Sequence, residues 1–94
     1  MRKIKIYDLT FIRTARFAPE EYKVIDAYGN NIAYVRLRGG VLSVRVYGDK
    51  INGDFVSHKE ISDISMFHSE ERRDKWLTYA ADKIKEVVSK YGRQ

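Results

Sequence analysis

Few residues of this 94-residue sequence are of types that could do chemistry, and their spacing is unfavourable for it. His58 and His68 stand ten positions apart, with Asp54, Glu60 and Asp63 nearby. Zinc sites usually draw on a local pair such as HxH or HxxxH plus a third ligand, so this spacing favours ordinary surface histidines. The absence of cysteine excludes a thiolate cage, a cysteine nucleophile and a disulfide framework. We therefore expect no metal and no cofactor.

Catalytic signatures are missing as well. No nucleophile elbow supports a Ser/His/Asp triad, although composition alone leaves one open. The glycine doublet Gly39-Gly40 lacks the GKS/T and GxGxxG contexts of phosphate-binding loops. The carboxylate pairs Glu20-Glu21 and Glu70-Glu71 look like a turn and a helix start. The sequence therefore predicts a protein that is not an enzyme.

Charge is the strongest compositional feature. The chain carries 18 basic and 13 acidic residues, for a net charge of +5. The whole excess lies in residues 1–48, which hold nine basic and four acidic residues, whereas residues 49–94 hold nine of each. Clustered lysine and arginine favour a polyanionic partner such as nucleic acid, because binding displaces counterions from phosphates. A modestly basic surface also serves solubility alone, so the charge is compatible with either role.

The clearest structural signal is a β-hairpin centred on two glycines. The β-rich runs Ile32–Arg38 and Val41–Tyr47 flank Gly39-Gly40, and primed two-residue turns need the positive φ angles that glycine adopts without steric cost. This loop fixes the register and places Tyr34 opposite Arg45. Because side chains alternate between faces, one face is wholly apolar and is predicted to be the core: Ala33, Val35, Leu37, Leu42, Val44 and Val46.

The opposite face of this hairpin is basic and aromatic, and it is the best functional candidate. Tyrosine rings offer surfaces on which bases stack, while arginine binds phosphates and also stacks. The face is predicted to hold Ile32, Tyr34, Arg36, Arg38, Val41, Ser43, Arg45 and Tyr47. With one lysine from the preceding strand, the predicted nucleic-acid-binding residues are Lys23, Tyr34, Arg36, Arg38, Arg45 and Tyr47.

The same basic and aromatic face is also compatible with two roles that involve no nucleic acid. Tyrosine–arginine pairs across strands stabilise a solvated antiparallel face without any ligand. Alternatively, Ile25, Ile32, Val41 and Tyr34 are buried against a second copy of the chain or another protein. The sequence therefore predicts a small binding module for single-stranded nucleic acid or, alternatively, a protein-interaction or homodimerisation module. No small-molecule substrate is evident.

The residues that precede the hairpin predict another strand at 22–26. If the loop that follows has two or four residues, Tyr22 and Val24 lie on the core face and Lys23 and Ile25 on the other. A three-residue loop would invert this assignment, so the loop length decides which side chains join the basic face.

Weaker signals remain for the rest of the chain. The apolar parity changes near Asp8, which predicts a bulge or a strand break there. Phe17–Glu20 and Asn52-Gly53 are typical of turns. Phe55–Ile61 predicts a further strand followed by a loop, although Ile61, Ile64 and Phe67 also have the spacing of one helical turn.

The C-terminal segment has a helical pattern over residues 70–91. Ser69 is a suitable N-cap, and Glu70 lies in the first turn, where the helix dipole favours negative charge. Gly92 suits the position that follows the last turn. An apolar stripe with a period of 3.6 residues runs from Leu77 to Tyr91. Such a helix is about 33 Å long. It is expected to pack on the apolar hairpin face and to leave the basic face open.

Together these elements predict a single α+β domain spanning residues 1–94. Its core is an antiparallel meander sheet of four or five strands with one long C-terminal helix packed on one face. The basic residues of the helix, including Arg72 and Arg73, are interpreted as solvated surface because acidic residues are interspersed among them. The longest hydrophobic run, Ile32–Val35, is far short of the ~20 residues that span a bilayer, and the charged N-terminus is not a secretory signal. We expect a cytoplasmic protein without membrane contact.

The same order of elements resembles a known family. Val41–Tyr47, a turn-rich connection, Lys59-Glu60-Ile61 and the helix that starts at Ser69 and contains Trp76 are similar to the single-stranded-DNA-binding coactivator domains. The likeness covers residues 30–91 and is one of architecture. It implies a homodimer that holds single strands on curved sheets.

Overall fold

The computed structural model describes residues 2–51 and 53–91 as one antiparallel sheet and one helix. The helix, α1, spans Glu70–Tyr91. The predicted meander with a C-terminal helix is confirmed, with six strands instead of four or five. In chain order, which is also their order in the sheet, the strands are β1 (Lys3–Ile6), β2 (Leu9–Arg13), β3 (Glu20–Ile25), β4 (Asn31–Arg38), β5 (Val41–Val46) and β6 (Phe55–Glu60).

The additional strand comes from the N-terminus, where the predicted break near Asp8 is a two-residue turn. Tyr7 and Asp8 alone join β1 to β2. Tyr7 has a φ of 58°, a left-handed conformation that non-glycine residues seldom adopt. Its hydroxyl donates to Asp82 (2.7 Å), and Lys85 Nζ donates to Asp8 (2.7 Å). Two exposed helix side chains, Asp82 and Lys85, therefore contact this turn.

The glycine-centred hairpin has the predicted register. Tyr34 pairs with Arg45, and Gly39 and Gly40 have φ angles of 60° and 75°. These positive angles are the conformation that a primed turn requires. The six residues assigned to the apolar face are all buried, as predicted: Ala33, Val35, Leu37, Leu42, Val44 and Val46.

Ile32 lies on the core side, which corrects the sequence-based assignment. Val24 pairs with Ala33, but the next residue of β3, Ile25, pairs with Asn31, so Ile32 is the extra residue of a β-bulge. A bulge places two residues of one strand opposite one residue of its partner and interrupts simple alternation. Ile32 is 3% exposed and belongs to the hydrophobic core. It is therefore absent from the basic face.

One face of the sheet is buried against α1. Tyr22 and Val24 point into this core and Lys23 is exposed. This is the facing expected for a loop of two or four residues, but the connection from Ile25 to Asn31 has an odd number of residues, and the bulge at Ile32 restores the facing. The helix begins near the start of β3, where Arg73 contacts Glu20. It ends near the start of β6, where the ring centroids of Tyr91 and Phe55 lie 4.3 Å apart. Core side chains come from the sheet (Leu9, Phe11, Tyr22, Val24, Ile32, Ala33, Val35, Leu37, Leu42, Val44, Val46), from the connection that follows β6 (Phe67) and from the helix (Leu77, Ala80, Ala81, Ile84).

The connection from β6 to α1 follows the prediction of a strand and then a loop. The Ile61 amide donates to the Gly40 carbonyl (2.9 Å), and the Gly40 amide donates to the Ile64 carbonyl (2.8 Å). Ser69 Oγ accepts from the Arg72 amide (3.1 Å) and caps the helix as predicted. Asn52, predicted to be in a turn, and Gly92, predicted to follow the last turn of the helix, lie outside the described residues. Within the described part of the chain, α1 is too short of apolar residues to cross a membrane.

Candidate functional site

The sheet face opposite α1, called the open face below, carries mostly positive charge. Every one of its residues is exposed or half-buried, in contrast to the covered face. Its cations outnumber its carboxylates six to two: Lys3, Lys5, Lys23, Arg36, Arg38 and Arg45 against Glu21 and Glu60. A surface of this kind attracts anions because the potentials of neighbouring cations add.

Five of the six predicted binding residues lie together on the open face. Lys23 pairs with Tyr34 and Tyr34 pairs with Arg45 on three adjacent strands, so a half-buried ring lies between two exposed cations. Directly opposite side chains in an antiparallel pair have Cβ atoms about 5 Å apart. Arg36 and Arg38 continue along β4 from Tyr34 and point the same way. The register therefore assembles the predicted group.

Tyr47 lies just outside the sheet. It follows the last residue of β5, is half-buried, and its amide donates to the Ile32 carbonyl (2.9 Å). Of the residues suggested for self-association, Ile25, Val41 and Tyr34 are half-buried on the open face, but Ile32 is not available. The apolar part of the predicted protein-interaction surface is thus smaller than the sequence indicated.

Several open-face residues were not among the predicted binding residues. Lys3, Lys5 and Ile12 belong to β1 and β2, the strands whose turn was not recognised. The alternation of lysine and isoleucine over residues 3–6 is the signal that could have placed the lysines there. Ser43 Oγ and His58 Nδ1 also meet on this face, 3.0 Å apart on neighbouring strands.

Arg45 has an exposed ion-pair partner. Its Nη1 lies 3.3 Å from Oδ2 of Asp54, and the Gly48 amide donates to Oδ1 of the same carboxylate (3.1 Å). The hydrogen bond from Gly48, with a smaller contribution from Arg45, holds the pKa of Asp54 below its usual value. Exposed pairs of this kind contribute little to stability, so Arg45 can exchange Asp54 for another anion at small cost.

A buried ion pair on the covered side fastens α1 behind the sheet. Arg73 donates through Nε to Glu20 Oε2 (2.5 Å) and through Nη2 to Oε1 (3.1 Å), while the Tyr22 hydroxyl and the Phe67 amide also donate to this carboxylate. Burial alone raises the pKa of Glu20, but the hydrogen bonds from Arg73 and Tyr22 outweigh it and keep the pKa below its usual value. The interpretation of Glu20 as a turn residue and of Arg73 as solvated surface is therefore wrong, because the two residues are only 1% and 6% exposed.

A second buried carboxylate fixes the loop before the helix. Asp63 is fully buried and accepts from Arg72 Nε (2.7 Å) and from the His68 amide (2.8 Å). The hydrogen bond from Arg72 lowers the pKa of Asp63 to about 2, although burial opposes this shift. Arg72, like Arg73, is thus engaged with the core side of the molecule. The two ion pairs fasten the first turn of α1 to buried carboxylates.

The two histidines do not form a metal site. Among residues 2–51 and 53–91, no group of three His, Cys, Asp or Glu side chains is placed to hold a metal ion, and His58 and His68 are both exposed.

Comparisons with known proteins identify no relative. The chain matches no protein-family model, no curated protein and no solved structure.

Proposed function

We propose that this protein is a small, non-enzymatic module that binds single-stranded nucleic acid through its open face. The alignment of Lys23, Tyr34 and Arg45 across three strands carries the proposal, because it sets an aromatic ring between two cations. A base stacked on such a ring gains ~1–3 kcal/mol, and the flanking cations bind the phosphates on either side. The contact residues are Lys23, Tyr34, Arg36, Arg38, Arg45 and Tyr47.

The shape of the open face favours unpaired strands over a duplex. Reading a duplex groove requires a helix or a two-stranded ribbon that enters it. The one described helix, α1, packs on the covered side, and the open face presents the side chains of six strands within a single sheet. An open sheet with an aromatic ring suits bases that are splayed out of a helix.

The alternative is self-association or another protein partner at the same face. Two copies that met through this face would bring six cations of one chain against six of the other, and like-charge contacts disfavour association. Ile32, the apolar residue that would have strengthened such a contact, is buried. Both observations favour the nucleic-acid proposal.

Anisotropy titration of a labelled single-stranded oligothymidylate and a matched duplex tests the proposal, at about 50 and about 200 mM salt. We expect tighter binding of the single strand and weaker binding at the higher salt concentration. Arg36→Glu with Arg45→Glu should abolish binding. The matched control, Lys75→Glu with Lys90→Glu, changes the net charge equally on exposed positions of α1 and should retain most of it.

The aromatic contribution has its own control. Tyr34→Ala should weaken binding about 5- to 150-fold, whereas Tyr34→Phe keeps the stacking ring and should bind almost as the parent does. Failure of the parent to bind at low salt, or an equal loss in the two charge-reversal doubles, rejects the proposal. Sedimentation without oligonucleotide tests the alternative, which predicts a mass that rises with protein concentration.

A further inference from the structure

One row of the open face alternates chemically across the whole sheet. Pairing leads from Lys3 in β1 through Ile12, Lys23, Tyr34 and Arg45 to Val56 in β6, with each residue directly opposite the next. Cations occupy β1, β3 and β5, and apolar or aromatic side chains occupy β2, β4 and β6. All six are exposed or half-buried.

This repeat has the chemical order of a single nucleic-acid strand. Each nucleotide presents one phosphate, which a cation binds, and one base, which an apolar or aromatic surface covers. One cation and one apolar residue recur every two strands, about 9.6 Å, and the row spans about 24 Å in all. Three such repeats suit a short footprint, near the lower end of the ~4–16 nucleotides bound by small single-strand-binding folds.

The neighbouring rows are less suitable. The row that contains Arg36 includes Glu21, which is paired directly with it. The row that contains Arg38 continues through Val41 to Glu60. Each of these cations is thus in a row that includes a carboxylate of a strand, which repels phosphate. The row from Lys3 to Val56, called the central row below, includes no carboxylate of a strand; the carboxylate that contacts it is the exposed Asp54, which pairs with Arg45 from just before β6.

We infer that the bound strand runs across the β-strands along this central row, from β6 to β1, and that Lys3 and Ile12 belong to the binding site. The inference rests on the proposed function and narrows it. A strand that lay along β4 would instead follow Tyr34, Arg36 and Arg38. The two paths are perpendicular, so different cations distinguish them.

Lys3 and Arg38 form a matched pair for the test. From Tyr34, Lys3 is three strand spacings away across the sheet, about 14 Å, and Arg38 is four residues away along β4, about 13 Å. Both are exposed. The experiment compares Lys3→Gln with Arg38→Gln by anisotropy titration of a labelled oligothymidylate of about 12 nucleotides. Lys5→Gln, on the same strand and face as Lys3 but off the row, is the local control.

The expected result is a selective loss at the row position. Lys3→Gln should weaken binding about threefold to fivefold and make the slope of log affinity against log salt shallower by about 0.7, the value for one phosphate contact on a single strand. Arg38→Gln, which removes a contact cation beside the row, should weaken binding less than Lys3→Gln does, and Lys5→Gln should change affinity by less than about twofold.

Three contrary results have distinct meanings. A larger loss for Arg38→Gln than for Lys3→Gln overturns the row path but leaves the proposed function intact. Equal losses for Lys3→Gln and Lys5→Gln also overturn the path, because they indicate a diffuse field instead of a defined track. No binding by the parent protein at low salt overturns the proposed function and the path together.

Discussion

Replacement of Asp63 by asparagine tests the account of how α1 is held behind the sheet. The carboxylate is fully buried and its strongest partner is Arg72 Nε at 2.7 Å. Its pKa of about 2 in the folded protein lies below the ordinary value of 3.8. Since each pKa unit corresponds to 1.36 kcal/mol, the charged form stabilises the fold by about 2 kcal/mol. This value is below the ~3–5 kcal/mol typical of a broken buried pair, because Arg72 is partly exposed and regains water.

The pH dependence of this contribution has a defined sign. Folding lowers the pKa of Asp63, so the stabilisation is complete above the unfolded-state pKa and is lost as the pH falls through the folded-state value. The difference in unfolding free energy between the parent and Asp63→Asn should therefore be about 2 kcal/mol near pH 6, about half of that near pH 3, and below about 0.5 kcal/mol near pH 2.

Urea unfolding followed by circular dichroism at these pH values measures the difference. Asp74→Asn, an exposed substitution of the same type on α1, serves as the control and should remain close to the parent throughout. A gap between the parent and Asp63→Asn that stays constant from pH 6 to pH 3 would refute the assignment of the stabilisation to the charged carboxylate.

The buried pair and the bulge each give one more prediction. Glu20→Gln should lower the unfolding free energy by ~3–5 kcal/mol in urea titration, since it leaves the buried guanidinium short of its counter-charge; a loss under ~1 kcal/mol contradicts the described pair. In thermal melts, Ile32→Glu should be far more destabilising than Ile25→Glu, because only Ile32 is buried; equal effects argue against the bulge.

The hairpin and the helix could be predicted because their signals are local. Gly39 and Gly40 supply both positive φ angles of the turn, and a two-residue loop leaves a single register. Ser69 and the apolar stripe of α1 act within a few residues in the same way. With the register known, alternation alone places Tyr34 and Arg45 on one face.

The features that the sequence did not predict depend on contacts between distant residues. Tyr7 adopts a positive φ without being glycine, and its turn is contacted by helix side chains about 75 residues away. Ile32 points into the core because it is the unpaired residue of a bulge, and the alternation of side chains in β4 alone does not reveal that bulge. A charged residue at the edge of a helical stripe, such as Arg73, looks solvated until the fold brings Glu20 against it.

The placement of acidic residues explains why the positive charge of the first half accumulates on one surface. Of the four carboxylates in residues 1–48, Asp8 pairs with Lys85, Glu20 is buried with Arg73, and Asp26 accepts from amides of its own turn. Glu21 alone lies on the open face. A surface evolved only for solubility intersperses both signs, whereas here the local acids are used elsewhere and the cations stay together around Tyr34. This segregation favours an anionic ligand over a merely solvated face.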